Sequence, residues 1–210
     1  MKRLKTGSFA VLLAACVIGV ARPVVAQEGD PERGASLAVT CMGCHGIAGY
    51  RNAYPSFRVP KLGGQKPEYI VSALKAYRDG TREHPTMQAQ GLSLTDQDIA
   101  DIAAWVATYG TSRDEVDASA IAGLEAAQVC ITCHSPAGAN MTPVPPVLSG
   151  QHRDYLEHAL NRYREGGRGT TVMNAFASAL SDEDIRRLAE FWSSRQGLFT
   201  LRDGAQTEAP

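Results

Sequence analysis

Apolar positions recur at helical spacing along most of the chain and nowhere alternate for a useful length, so the expected fold is all-α with strands nearly absent. Asp30-Pro31-Glu32 joins a capping aspartate to a proline at the first helical position, and predicts a helix running into Cys41. From Pro67 to Asp79, the residues Tyr69, Ile70, Ala73, Leu74 and Tyr77 share one helical face, and Gly80 supplies the stop. Thr95-Asp96-Gln97-Asp98 reads as a capping box with aspartate in place of the usual glutamate, and Leu94 and Ile99 are placed to staple across it. Ile99, Ile102, Ala103 and Val106 then form the inner face of that helix.

The same pattern is written twice. Leu62-Gly63-Gly64-Gln65 and Leu148-Ser149-Gly150-Gln151 match at an offset of 86, which also pairs Pro60 with Pro146, Tyr69 with Tyr155, Tyr77 with Tyr163, Arg82 with Arg168 and Met87 with Met173. In the second copy Ser119 is the expected cap of a helix ending near Cys130, and a helix from about Arg153 to Glu165 stops at Gly166-Gly167. Ser181-Asp182-Glu183-Asp184 opens the last helix, which carries Ile185, Leu188, Ala189 and Trp192 inward. Trp105, Phe191 and Trp192 are read as core residues. Each copy is long enough for a small domain, with 27–113 the first, 114–210 the second and Asp114 to Ala118 the linker.

The first 26 residues stand outside the repeat and have the parts of a secretory signal: Lys2, Arg3 and Lys5, an apolar run from Phe9 to Val20, then Val24-Val25-Ala26. Cleavage after Ala26 places the protein in the periplasm. An uncleaved leader, or lipidation at Leu13-Ala14-Ala15-Cys16, is the alternative that ties it to the membrane. Cleavage leaves 17 Lys and Arg against 22 Asp and Glu, a balance that argues against nucleic acid or an anionic membrane as partner. From Arg113 onward there are 9 arginines and no lysine against 13 acids, whereas 27–112 has 8 cations against 9 acids, so a basic partner should favour the second half.

The chemistry sits in Cys41-Met42-Gly43-Cys44-His45 and Cys130-Ile131-Thr132-Cys133-His134. Two thiols three residues apart on one helical turn can add to the vinyl groups of one porphyrin, and the following histidine then lies under the iron. The expected cofactors are therefore two covalently bound haem c groups, with His45 and His134 as axial ligands. The motifs are offset by 89, so the first copy carries three extra residues after its histidine, within the aromatic stretch Ile47 to Arg58. That stretch is placed to alter the exposed edge of the first haem.

For the sixth iron position, the repeat nominates Met87 and Met173, both in loop-like stretches between expected helices. Met42 lies between the haem thiols, Met141 has no counterpart, and the rival His84 pairs with Thr170, so His84 is read as a loop residue. His152 and His158 are read as solvated helix residues. Histidine and thioether together saturate iron and favour the ferrous state, which suits an electron carrier. A peroxidase would need one open position, and a zinc site would leave the histidines and methionines unexplained. The Pro60 and Pro146 carbonyls are candidates to orient the two histidines. Tyr69, Tyr77 and Arg82, with Tyr155, Tyr163 and Arg168, are candidates to meet the haem propionates or pack on the porphyrin, ordinary packing being the alternative.

With these residues, together with Pro60-Lys61-Leu62-Gly63-Gly64-Gln65, Tyr77-Arg78-Asp79-Gly80 and Leu180 to Ile185, residues 31–197 resemble the diheme cytochromes of the c4 type. The resemblance implies two class I cytochrome c domains about a pseudo-two-fold axis, with propionate edges facing across the interface. It further implies a periplasmic carrier between redox proteins, from a donor such as a quinol-oxidising complex toward a haem-copper terminal oxidase. The alternative is the cytochrome subunit of a larger oxidoreductase, such as a flavocytochrome c sulfide dehydrogenase.

Overall fold

The structure is a computed structural model that describes residues 28–111, 121, 124–134, 141, 144–169 and 171–201. The expected leader, the Ser119 cap, the linker from Asp114 to Ala118 and Thr170 lie outside the described residues. Among the described residues there are helices and isolated bridges but no extended strand, and no helix is long and apolar enough to cross a membrane.

The first copy holds α1 (Pro31–Leu37), α2 (Val39–His45), α3 (Pro67–Arg78), α4 (Pro85–Leu92) and α5 (Asp96–Ala107). The Asp30 carboxylate accepts from the backbone N–H groups of Glu32 and Arg33 at 2.9 and 3.2 Å, which satisfies donors that the first turn of α1 leaves open. The helix expected to run unbroken into Cys41 is divided at Ala38, a fully buried residue with φ −80° and ψ 0°. Beside that break α1 crosses α5 so closely that a Cβ at Gly34 would stand 2.0 Å from the Asp101 carbonyl oxygen. Buried Asp101 accepts from the Asp30 N–H at 2.8 Å, and the Arg33 guanidinium spans Asp98 and Asp101, fastening the crossing. Both halves of the Thr95 and Asp98 capping box form, and Ile99, Ile102, Ala103 and Val106 are buried.

The second copy repeats this with α6 (Glu125–Cys133), α7 (Arg153–Arg164), α8 (Thr171–Ser178) and α9 (Asp182–Ser193). Ser181 and Asp184 make the matching box, and Ile185, Leu188, Ala189 and Trp192 form the inner face. Even the corner clasps correspond: Arg78 reaches Asp96 at 2.8 Å and the Leu94 carbonyl at 3.2 Å, while Arg164 reaches Asp182 at 2.8 Å and the Leu180 carbonyl at 3.2 Å. One difference from expectation is shared by both copies. The stretches holding Met87 and Met173 are helices α4 and α8 rather than loops. Pro85 sits in the first turn of α4, and the His84 ring accepts the Met87 N–H at 3.3 Å, so a proline and a histidine cap start a helix too short to show a clear apolar stripe.

The two domains meet about a pseudo-two-fold axis, visible as exchanged contacts between equivalent residues. Gln65 pairs with the backbone of Val147, Gln151 pairs with the backbone of Lys61, and Arg82 and Arg168 form an antiparallel bridge on the axis. Two features break the symmetry. The Ile47 to Arg58 insert reaches the second domain: Arg58 donates its N–H and Nε to Asp154 at 3.1 Å, Arg51 pairs with the same carboxylate at 3.1 Å, and buried Phe57 stacks on His158 with ring centroids 4.2 Å apart. Then, after α9, the chain returns to the first domain. Phe199 exchanges backbone hydrogen bonds with Gly63 at 3.0 and 3.1 Å, and its ring lies where a Cβ at Gly63 would come within 2.4 Å. Leu201 is fully buried, its carbonyl 3.3 Å from where a Cβ at Gly46 would stand.

Candidate functional site

His45 ends α2 and His134 directly follows α6, each immediately after the second cysteine of its motif. Both are buried, at 9% and 5% exposure, and each holds Nδ1 on a proline carbonyl: His45 on Pro60 at 2.8 Å and His134 on Pro146 at 2.9 Å. A carbonyl only accepts, so Nδ1 carries the proton and Nε2 keeps its lone pair for a metal. Burial lowers the pKa of both rings, against the pull of the carbonyl; the charges of His84 and Arg82 add to the lowering at His45, and that of Lys66 at His134. Both imidazoles are thus neutral ligand candidates at ordinary pH.

Cys41, Cys44, Cys130 and Cys133 are half-buried and form no disulfide. Burial pushes the Cys41 and Cys130 thiols up, so both are protonated at ordinary pH. Cys41, Cys44 and His45 open onto a cavity of about 740 Å³ that also takes in Cys130 and His134 and is walled by Met87 and Met173. A cavity of this size where a small domain should have its core, bounded by thiols, a neutral imidazole and a thioether, fits a porphyrin held through its vinyl groups and its iron. Cys133 does not line this cavity.

The cavity's polar wall gathers at the domain interface. Arg82 and Arg168 are 9% and 6% exposed, with their guanidinium carbons 4.4 Å above the Tyr77 and Tyr163 rings. Arg82 also donates to the Tyr155 hydroxyl at 2.7 Å and the Tyr69 hydroxyl at 3.3 Å. Burial pushes the Tyr77 phenol up to about 12, although the Arg82 charge acts the other way, so this hydroxyl stays neutral. Among the described residues the polar partners of Arg82 are phenols, and no carboxylate meets it. A buried cation in that setting fits a cofactor that brings its own acids.

Three sequence readings change here. His84 caps α4 and packs edge-on against Phe57 and Tyr77, at 6.2 and 6.3 Å between centroids. His158 is not solvated but covered by Phe57, and His152 is half-buried at the start of α7; burial drives both to a pKa of about 4. The insert walls the first-domain side of the cavity through Tyr50, Arg51, Asn52 and Ala53 as well as joining the domains. Gln65 and Gln151 had drawn no role from the sequence, and the only signal that marks them is their exact recurrence.

Comparison with known proteins covers both halves. Residues 31–110 match the cytochrome c family, and residues 118–191 match the family described as cytochrome c oxidase, cbb3-type, subunit III. With the fold and the paired motifs, this defines a tandem c-type cytochrome that carries two covalently bound haem c groups. Cytochrome c4 of Pseudomonas aeruginosa is 34% identical over 178 residues, spanning 78% of this chain and 87% of that protein. The crystal structure of reduced recombinant cytochrome c4 from Pseudomonas stutzeri superposes with a TM-score of 0.62 at 31% identity, covering 81% of this chain and all of that one. A thiosulfate dehydrogenase electron acceptor of Stutzerimonas stutzeri is 30% identical over 173 residues, 75% of this chain and 79% of that protein. The chain belongs to the cytochrome c4 family, and is a diheme electron carrier.

Proposed function

We propose that this cytochrome works in the periplasm, taking electrons from a donor such as a quinol-oxidising complex and passing them toward a haem-copper terminal oxidase. Haem iron supplies the chemistry, gaining or losing one electron per centre. In this reading Cys41, Cys44, Cys130 and Cys133 would hold the two groups, with His45 and Met87 binding the iron in the first domain and His134 and Met173 in the second. The Pro60 and Pro146 carbonyls fix the imidazole planes through Nδ1. Arg82, Arg168 and the surrounding tyrosines hold the propionates and compensate their charge. The supporting observation is that one donor set, a neutral imidazole turned by a proline carbonyl and a methionine lining the same cavity, occurs at equivalent places in both domains.

The test is capture from periplasm with spectroscopic identification of the partner, followed by stopped-flow reduction and oxidation with the isolated proteins. Fast reoxidation by a terminal oxidase is the expected outcome. The relative named as a thiosulfate dehydrogenase electron acceptor favours a second reading, in which a sulfur-oxidising dehydrogenase is the donor. Purification in a stable complex with a dehydrogenase, whether that enzyme or a flavoprotein oxidising sulfide, would replace the free shuttle by an enzyme subunit.

A further inference from the structure

The recurring glutamines lie one peptide group away from the two buried histidines, but across the domain boundary. Gln151, 5% exposed, accepts the Lys61 N–H on Oε1 at 2.9 Å and donates from Nε2 to the Lys61 carbonyl at 3.0 Å. Gln65, 3% exposed, treats Val147 in the same way, at 2.9 and 3.1 Å. Each Oε1 takes a second N–H from its own chain neighbour, Lys66 or His152, at 3.0 Å, which fixes the amide's orientation. The Lys61 N–H and the Pro60 carbonyl are two ends of one peptide unit, as are the Val147 N–H and the Pro146 carbonyl. Each unit therefore donates to a glutamine of the opposite domain at one end and accepts from a histidine of its own domain at the other.

Hydrogen bonds in series through one amide polarise each other. An N–H drawn toward Oε1 makes the carbonyl at the far end a better acceptor, and a better acceptor on Nδ1–H makes the imidazole a stronger donor through Nε2. A stronger nitrogen donor favours ferric over ferrous iron. We infer that Gln65 and Gln151 are positioning residues that tune the reduction potential of the haem in the opposite domain, Gln65 acting on His134 and Gln151 on His45. The inference rests on the axial-ligand reading above. It gives the repeated glutamine a function that operates only when the two domains are joined.

The test uses the diheme protein with Gln65→Met and Gln151→Met, which keep volume and remove both amide functions. Two readouts are taken, the Nδ1–H resonance of each histidine in the reduced state and the ferrous-to-ferric ratio of each haem at a fixed poise, read from resolved haem methyl signals. Gln65→Met is expected to move the His134 Nδ1–H upfield and raise the ratio at the second-domain haem by roughly two- to fivefold, leaving the first unchanged. Gln151→Met should do the converse. Gln65→Glu and Gln151→Glu guard against misfolding of the Met variants, because an ionised oxygen accepts more strongly and should lower the ratio at the opposite haem. Effects on the haem of the same domain, equal effects on both haems, no effect, or the same sign for Met and Glu would overturn the inference. In the reduced wild type, His45 and His134 ring protons without the large upfield shifts of iron-bound imidazole would overturn the ligand reading instead.

Discussion

The centre of the domain interface and its margin follow different rules. At the centre the principal contacts come in equivalent pairs, Gln65 with Gln151 and Arg82 with Arg168. At the margin the contacts among the described residues run one way. Arg51, Arg58 and Phe57 reach out of the first domain onto Asp154 and His158, whereas Glu68, the counterpart of Asp154, is exposed and has no ion pair among the described residues. A duplicated chain keeps equivalence where two copies of one sequence must fit each other. It acquires difference where a few inserted residues can reach across without disturbing that fit.

The largest predicted effects test the equivalence. Replacing Cys41 and Cys44 together by Ala should reduce the haem count from two to one, and so should replacing Cys130 and Cys133; a pyridine haemochrome assay that found none in either case would break the independence of the halves. Met87→Ala and Met173→Ala should each remove the methionine-to-iron charge-transfer band of one haem, and an unchanged near-infrared spectrum would reject that ligand. In the core, Ile102→Ala and Leu188→Ala occupy equivalent positions at 5% and 1% exposure. Each should cost about 2–5 kcal/mol in urea unfolding, because a buried branched side chain leaves a cavity.

Smaller effects should expose the asymmetry. Asp154→Ala releases both insert arginines and should cost about 1 kcal/mol, whereas Glu68→Ala should change nothing measurable. Burial alone would raise the Asp154 pKa, but the Arg58 N–H and guanidinium reverse this and hold it below the usual carboxylate value. That stabilisation is complete above the unfolded carboxylate pKa and is lost as pH falls through the lower folded one. His158 gives the subtlest signal. Its pKa of about 4 reflects burial first, then the charges of Arg168, Arg162 and His84, against the opposing pull of Glu165. The folded state therefore disfavours the imidazolium, so stability should be full above the ordinary histidine pKa and decline as pH falls from there toward 4. His158→Phe should flatten that decline in a pH series of thermal unfolding, and His158 replaced without any flattening would remove the Phe57 stack from the account.

What could be read in the sequence divides along the same line. Caps, stop glycines and inner faces are local patterns, and the repeat supplied a second copy of each, so α3, α5, α7 and α9 were legible nearly to the residue. Helix α4 was not, since eight residues opened by His84 and Pro85 carry too little periodicity to tell from a loop. The insert was visible as an indel, but nothing in Phe57 or Arg58 names a partner about a hundred positions along, because that contact exists only after both domains have folded and met. Gln65 and Gln151 were visible as a match and mute as to purpose, for the same reason.

The closing segment carries a consequence for how the molecule is made. Phe199 and Leu201 lie against Gly63 and Gly46, the latter directly after His45, so residues from the end of the described chain pack on the backbone beside the first haem motif. A chain delivered from its N-terminus presents Cys41 and Cys44 long before that segment arrives. The packing beside the first haem motif therefore forms only after the helices of the second domain have emerged.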